Sequence, residues 1–255
     1  MSMSMTVEAA LTQLRTLRKA HFTVVLPLMQ KGHKFKLDIH AMAVIDRSLA
    51  LLRGFCDLVD AKNMIAAVPL LRCQLDNGLR FFASTLVQNP HDLADAILKG
   101  TPVRKIKDRH GKPMQDAYLV EQLTAHVPWA KSLYDQASGY VHFSEQHIIN
   151  TIGIPDEEGM SQIAITGYDG NVWTDQKYIE AIEAFKYSTR LVLEFVEMWA
   201  QTRREPQLQE ACCSSDNSNS SATTTRAASS GRQNRKSNVR VFTEAFMPLA
   251  GRLQT

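Results

Sequence analysis

The sequence predicts a mainly α-helical protein, a bundle of six to seven helices carrying one β-hairpin before the last long helix. Three observations predict it. Apolar residues recur at three- and four-residue intervals through the first 150 positions. The same spacing returns between Asp175 and Arg204, where Tyr178, Ile182, Phe185, Leu191, Phe195 and Trp199 form one stripe. Between these stretches lie two Ile- and Thr-rich runs, 147–154 and 159–168, split by the turn-prone Pro155-Asp-Glu-Glu-Gly159.

Each element follows from local chemistry. Thr6 caps a first helix bearing Val7, Leu11, Leu14 and Leu17, which is expected to end or kink before Pro27. After a Lys31–Lys34 loop, a helix runs over about 38–60 on Ile45, Leu49, Leu52, Phe55 and Val59. The next covers about 66–87, with Pro69 either starting or kinking it. Asn89-Pro90 reads as a cap and first helical position for a short helix ending at Gly100. A basic loop, 101–114, precedes helices over about 116–126 and 129–144.

Residues 1–205 are expected to form one helical domain and 206–255 a low-complexity, mostly disordered tail. Positions 212–240 are chiefly Ser, Thr, Asn, Ala and Arg, with little to bury. Val241–Leu249 holds enough apolar residues for a short docking helix. Through Glu205 the chain carries 23 basic and 23 acidic residues, and the six basic and three acidic residues that follow hold the whole net charge of +3. A neutral body argues against non-specific duplex binding, which needs a strongly basic face. No apolar run approaches the roughly 20 residues of a membrane span, and the first 15 residues lack the pattern of a secretory signal. Four cysteines, Cys56, Cys73, Cys212 and Cys213, do not make a disulfide framework and fit a reducing cytoplasm.

Two polar ladders stand out. Arg72, Asp76 and Arg80 recur at i, i+4 and i+8 and share one helix face, beside the apolar Leu71, Leu75, Leu79 and Phe82. Tyr134, Ser138 and His142 have the same spacing, with Gly139 permitting close approach of a neighbour. Histidine moves protons near neutral pH, and arginine neutralises phosphate. Brought together, the ladders would suit an anionic ligand or a phosphodiester. Read blandly, they are a solvated face or a buried brace. The loop Arg104–Lys112 carries five positive charges against Asp108 and would steer RNA through Lys107 and Arg109, or simply lie solvated. Metal-ligand spacings, Walker loops and nucleophile elbows are missing from the sequence, so no metal or cofactor is expected.

Residues Ala67–Arg80, Lys107–Lys112 and Tyr134-xxx-Ser138-Gly-Tyr-Val-His142-Phe-Ser144 together resemble an uncharacterised group of bacterial helical proteins. That group is in turn similar to HEPN domains, helical ribonucleases and nucleotide-binding modules of toxin and phage-defence systems. The resemblance covers about 35–205. It implies RNA or a nucleotide as ligand and a homodimer as the assembly. It also implies a metal-independent ribonuclease mechanism with His142 as general acid or base. The arginine expected four to six residues before that histidine has no counterpart, because positions 135–137 are Asp-Gln-Ala. Arg72 or Arg80 would then supply the cation, Asp76 would hold the arginines, and Tyr134 or Ser138 would orient the phosphate. The alternative expectation is a non-catalytic module that binds a protein partner, with both ladders serving as a structural brace.

Overall fold

A computed structural model describes residues 5–203 apart from 31, 162 and 164. The tail, with Cys212, Cys213 and the 241–249 segment, lies outside the described residues. Eight α-helices are present among the described residues: α1 (Val7–Gln30), α2 (Lys36–Asp60), α3 (Met64–Leu86), α4 (Pro90–Leu98), α5 (Asp116–Thr124), α6 (Ala130–Ser138), α7 (Glu145–Ile152) and α8 (Asp175–Thr202). Among the described residues none is long and apolar enough to cross a membrane.

The long helices α1, α2, α3 and α8 form the frame, and α8 packs on the other three. Their buried residues fall into two clusters. Near the start of α1, α3 and α8, Leu14, Phe55, Met64, Leu71, Ile182 and Phe185 pack together, with the Phe55 and Phe185 rings stacked at 4.1 Å. Towards the other end Val24, Ile45, Leu75, Leu79, Phe82, Val192 and Phe195 form the second cluster, which α4, α5 and α6 cover. The order of these residues along each helix makes α2 antiparallel to the other three.

Between the clusters lies a polar layer, one residue from each long helix: His21, Ser48, Gln74 and Thr189, all fully buried. His21 Nδ1 is 2.8 Å from the Leu17 carbonyl, which can only accept, so this nitrogen carries the proton. Nε2 then accepts from the Ser48 hydroxyl at 2.8 Å. The Gln74 amide donates to Ser48 at 2.6 Å and to Thr189 at 3.0 Å. A buried polar group without a partner costs about 1–3 kcal/mol, so a one-turn slip of any long helix is penalised.

A second buried network closes the far end. The Asp38 carboxylate accepts from Trp199 Nε1 at 2.8 Å and from the Phe35 backbone N–H at 2.9 Å, and it pairs with Arg203 at 3.3 Å. Arg203 lies over the Phe35 ring and donates to the His33 carbonyl. This ties the α1–α2 turn to the end of α8.

Local signals account for most boundaries. The Asn89 side chain accepts from His91 N–H at 3.0 Å, with Pro90 as first helical residue. The end of α4 is a Schellman motif: Gly100 (φ +84°) donates to Ile97 and Thr101 donates to Ala96, each at 2.9 Å.

Two open alternatives, at Pro27 and Pro69, are narrowed, and two expectations are corrected. Helix α1 continues through Pro27 instead of ending before it. Helix α3 starts at Met64, so Pro69 sits inside it; the start is set by Asn63 capping Ala66 and by Asp169 accepting from Met64 N–H at 2.8 Å. The helix expected over 129–144 stops at Ser138, where Gly139 begins a turn. The β-hairpin is not seen among the described residues. Its turn exists, with Asp156 accepting from the N–H groups of Glu158 and Met160. Its first arm, however, is α7, capped by Ser144 and ended by Gly153 at φ +75°. The second arm, from Met160 to Tyr168, is irregular in its described residues.

Candidate functional site

The α3 ladder forms as its spacing requires, and neighbouring helices complete it. Arg80 bonds Asp76 Oδ1 at 2.8 Å and Asp116 Oδ1 at 2.6 Å. Arg72 approaches the same two carboxylates at 3.9 and 3.7 Å. Arg47 of α2 reaches Asp76 Oδ2 at 3.7 Å. Asp116 is the first residue of α5, where the helix N-terminus favours a negative charge. Three guanidinium groups thus surround two carboxylates. Burial opposes ionisation of Arg80, but Asp76 and Asp116 outweigh it and hold its pKa above the ordinary value.

Helix α6 supplies the lid of this cluster. The Arg72 guanidinium lies 3.8 Å from the centre of the Tyr134 ring, a cation–π contact. Its Nε donates to Ser138 Oγ at 3.3 Å, while that hydroxyl donates to the Tyr134 carbonyl at 2.7 Å. The Arg72 side chain is 14% exposed and that of Arg80 is 25% exposed. Five of the nominated residues, Arg72, Asp76, Arg80, Tyr134 and Ser138, are therefore brought together, joined by Asp116 and Arg47. Spacing along one helix shows neither newcomer, because both come from other helices.

His142 is not among them. With α6 ending at Ser138, the third rung of its ladder falls in the 139–144 turn, where His142 is exposed. No hydrogen bond, ion pair or ring contact links it to another described residue. His147 is the histidine built into the local structure: its Nδ1 accepts from Ser144 N–H at 3.2 Å, and its ring stacks on Phe143 at 5.4 Å.

The basic loop is folded around its single acid. Asp108 accepts from the N–H groups of His110 and Lys112 at 2.8 Å and from the Tyr118 hydroxyl at 2.6 Å. Burial raises the Asp108 pKa, but these donors outweigh it and leave the carboxyl below its ordinary value. Burial and the adjacent Asp108 push the Tyr118 hydroxyl up to about 12. Arg109 caps α3: its backbone N–H and Nε both donate to the Leu86 carbonyl at 3.0 Å, and its terminal nitrogen donates to the Thr85 carbonyl. A cation at a helix C-terminus is stabilising there. Lys107 is exposed and joins the loop through a backbone bridge to Pro113. Of the two nominated loop cations, Arg109 is thus structural.

A cleft of about 500 Å³ opens at the opposite end of the frame, between Val7, Arg15, Asp60, Lys62, Trp173 and Tyr178. None of the nominated residues lines it. Cys56 is buried, and burial pushes its thiol up to about 11, away from the range of a reactive thiolate.

The sequence gives no forewarning of the surface between α6 and α8. Ten large apolar side chains between Val141 and Tyr168 are at least 40% exposed, Phe143 at 83% and Ile165 at 93%. Helix α7 buries none of its residues. Comparison with family models, curated proteins and solved structures returned no match.

Proposed function

We propose that the chain is a non-catalytic interaction module, in which the polar ladders brace the helices and the 141–168 excursion meets a protein partner. The observation that carries this reading is the run of ten exposed apolar side chains in one 28-residue excursion. Exposed apolar patches beyond a few hundred Å² are uncommon on monomers and mark binding surfaces. The α3 cluster supports the same reading from the other side. Its guanidinium groups are engaged by Asp76, Asp116, Tyr134 and Ser138, and the imidazole that would move a proton is bonded to none of them.

The test compares melting temperature and RNA cleavage in the native protein, Arg80→Ala and His142→Ala. A brace predicts a fall of several degrees for Arg80→Ala, because charged hydrogen bonds of this kind contribute about 1.5–3 kcal/mol each. It predicts an unchanged melt for His142→Ala and no cleavage by any form. Cleavage that disappears in His142→Ala with its melt intact would replace this reading with a ribonuclease.

A further inference from the structure

From Ser132 to Gln176 the chain carries seven acids and no Lys or Arg. Four of the acids, Glu145, Asp156, Glu157 and Glu158, are exposed on the excursion, among its ten uncovered apolar side chains. With those seven set aside, the 23 acids of residues 1–205 fall to 16, against 23 basic residues. The surface that is both apolar and acidic is thus gathered in one place, on a body otherwise biased to positive charge. Complementary charge sets which partners such a surface accepts and which it repels. The occupant it suits is a basic segment with a few large apolar anchors.

The chain's own sequence supplies one, outside the described residues. Positions 217–243 hold five basic residues, Arg226, Arg232, Arg235, Lys236 and Arg240, and no acid. Where that run ends, Val239, Phe242 and Phe246 are spaced by three and four residues, the spacing of one helical face, ahead of Pro248. The two regions are within reach of each other. The excursion enters α8 at its start and the tail leaves it at its end, and the 28 residues of α8 measure about 42 Å at 1.5 Å per residue. The 35 residues from 204 to 238 reach about 115 Å at full extension.

From these observations, and resting on the interaction reading above, we infer that the 239–249 segment of the same chain docks on the 141–168 excursion. Phe242 and Phe246 meet its uncovered apolar side chains, and the basic run from Arg226 to Arg240 faces Glu145 and Asp156–Glu158. Covalent linkage holds the segment near the excursion at an effective concentration in the mM range, so even a weak contact is well occupied. A protein partner reaches the excursion by displacing the tail. The tail therefore sets the affinity of the surface that the excursion presents.

The test reads, by fluorescence anisotropy, the binding of a labelled peptide of residues 226–250 to the full-length chain. Phe242→Asp with Phe246→Asp in the chain frees the excursion of its own tail and should tighten peptide binding at least tenfold over the native chain. Adding Phe143→Asp and Ile163→Asp, both at exposed positions, should weaken it at least tenfold, with circular dichroism and melting matching the tail variant. Raising NaCl from 50 to 500 mM should also weaken it severalfold, as screening of exposed charges requires. Equal affinity of the native chain and the tail variant overturns the inference. So does peptide binding that survives Phe143→Asp with Ile163→Asp, or that ignores salt. Sedimentation from 1 to 100 μM should show a monomer; a dimer lost in the tail variant places the tail on a second copy and overturns docking within one chain. Failure of the interaction reading shows itself separately, as His142-dependent RNA cleavage.

Discussion

The middle of α3 and the excursion between α6 and α8 handle their side chains in opposite ways. On α3, Arg72, Asp76 and Arg80 are polar groups in a half-buried position, and the chain answers them with Asp116, Arg47, Tyr134 and Ser138. Along 141–168 the chain leaves large apolar groups in water without covering them. The difference separates what holds the molecule together from what it offers to others. Chemical character alone would invert the assignment, since charged ladders look like binding sites and isoleucines look like core.

Breaking the buried polar ties should have the largest effect. Asp38→Ala removes the carboxylate that serves Trp199, Phe35 and Arg203. Leaving a buried charge unpaired costs on the order of 3–5 kcal/mol, so thermal denaturation should show a loss on the order of 10 °C. A loss below 2 °C would mean the interior ties are as dispensable as the surface.

Acid should act next. Burial lowers the pKa of His21 and of His40 from the ordinary 6.5. Above 6.5 neither the folded nor the unfolded chain holds these protons, and the stability is fully present. As pH falls below 6.5 the unfolded chain takes them up while the folded chain resists, so stability declines. The melting temperature should fall between pH 7.5 and 5.5, and His21→Gln should flatten that slope. A melt that is flat or rises over this window would contradict a sealed, neutral His21.

The smallest effect belongs to the excursion. Ile165→Ser should change stability by less than about 0.5 kcal/mol, as exposed substitutions do. A larger loss would show that the excursion belongs to the core after all.

Much of the frame was legible because burial imposes a helical period on the sequence. The Phe55, Leu71, Phe185 and Trp199 positions all lie inward. The polar layer also leaves a signal in the sequence. Ser48 falls between Ile45 and Leu52, and Thr189 between Phe185 and Val192, each on an apolar stripe. Asp116 and Arg47 were invisible because a single helix's spacing carries no information on what packs across from it. The ladder ending at His142 failed because Gly139 starts a turn that an i, i+4, i+8 count cannot see. The hairpin failed because Ser144 and Gly153 cap a helix over residues whose composition favours strands. Composition competes with capping there, and capping prevails in the first arm alone.

The excursion's base is held by two side chains. Asn171 brackets Ile154 through both its amide oxygen and its nitrogen, at 2.9 and 3.1 Å. Asp169 joins the start of α3 to Tyr178 of α8. What lies between those staples is a handle whose length is nearly free, since doubling a flexible loop costs only about 0.6 kcal/mol. Related chains are therefore expected to differ most here in length and lettering, while the four long rods keep their register.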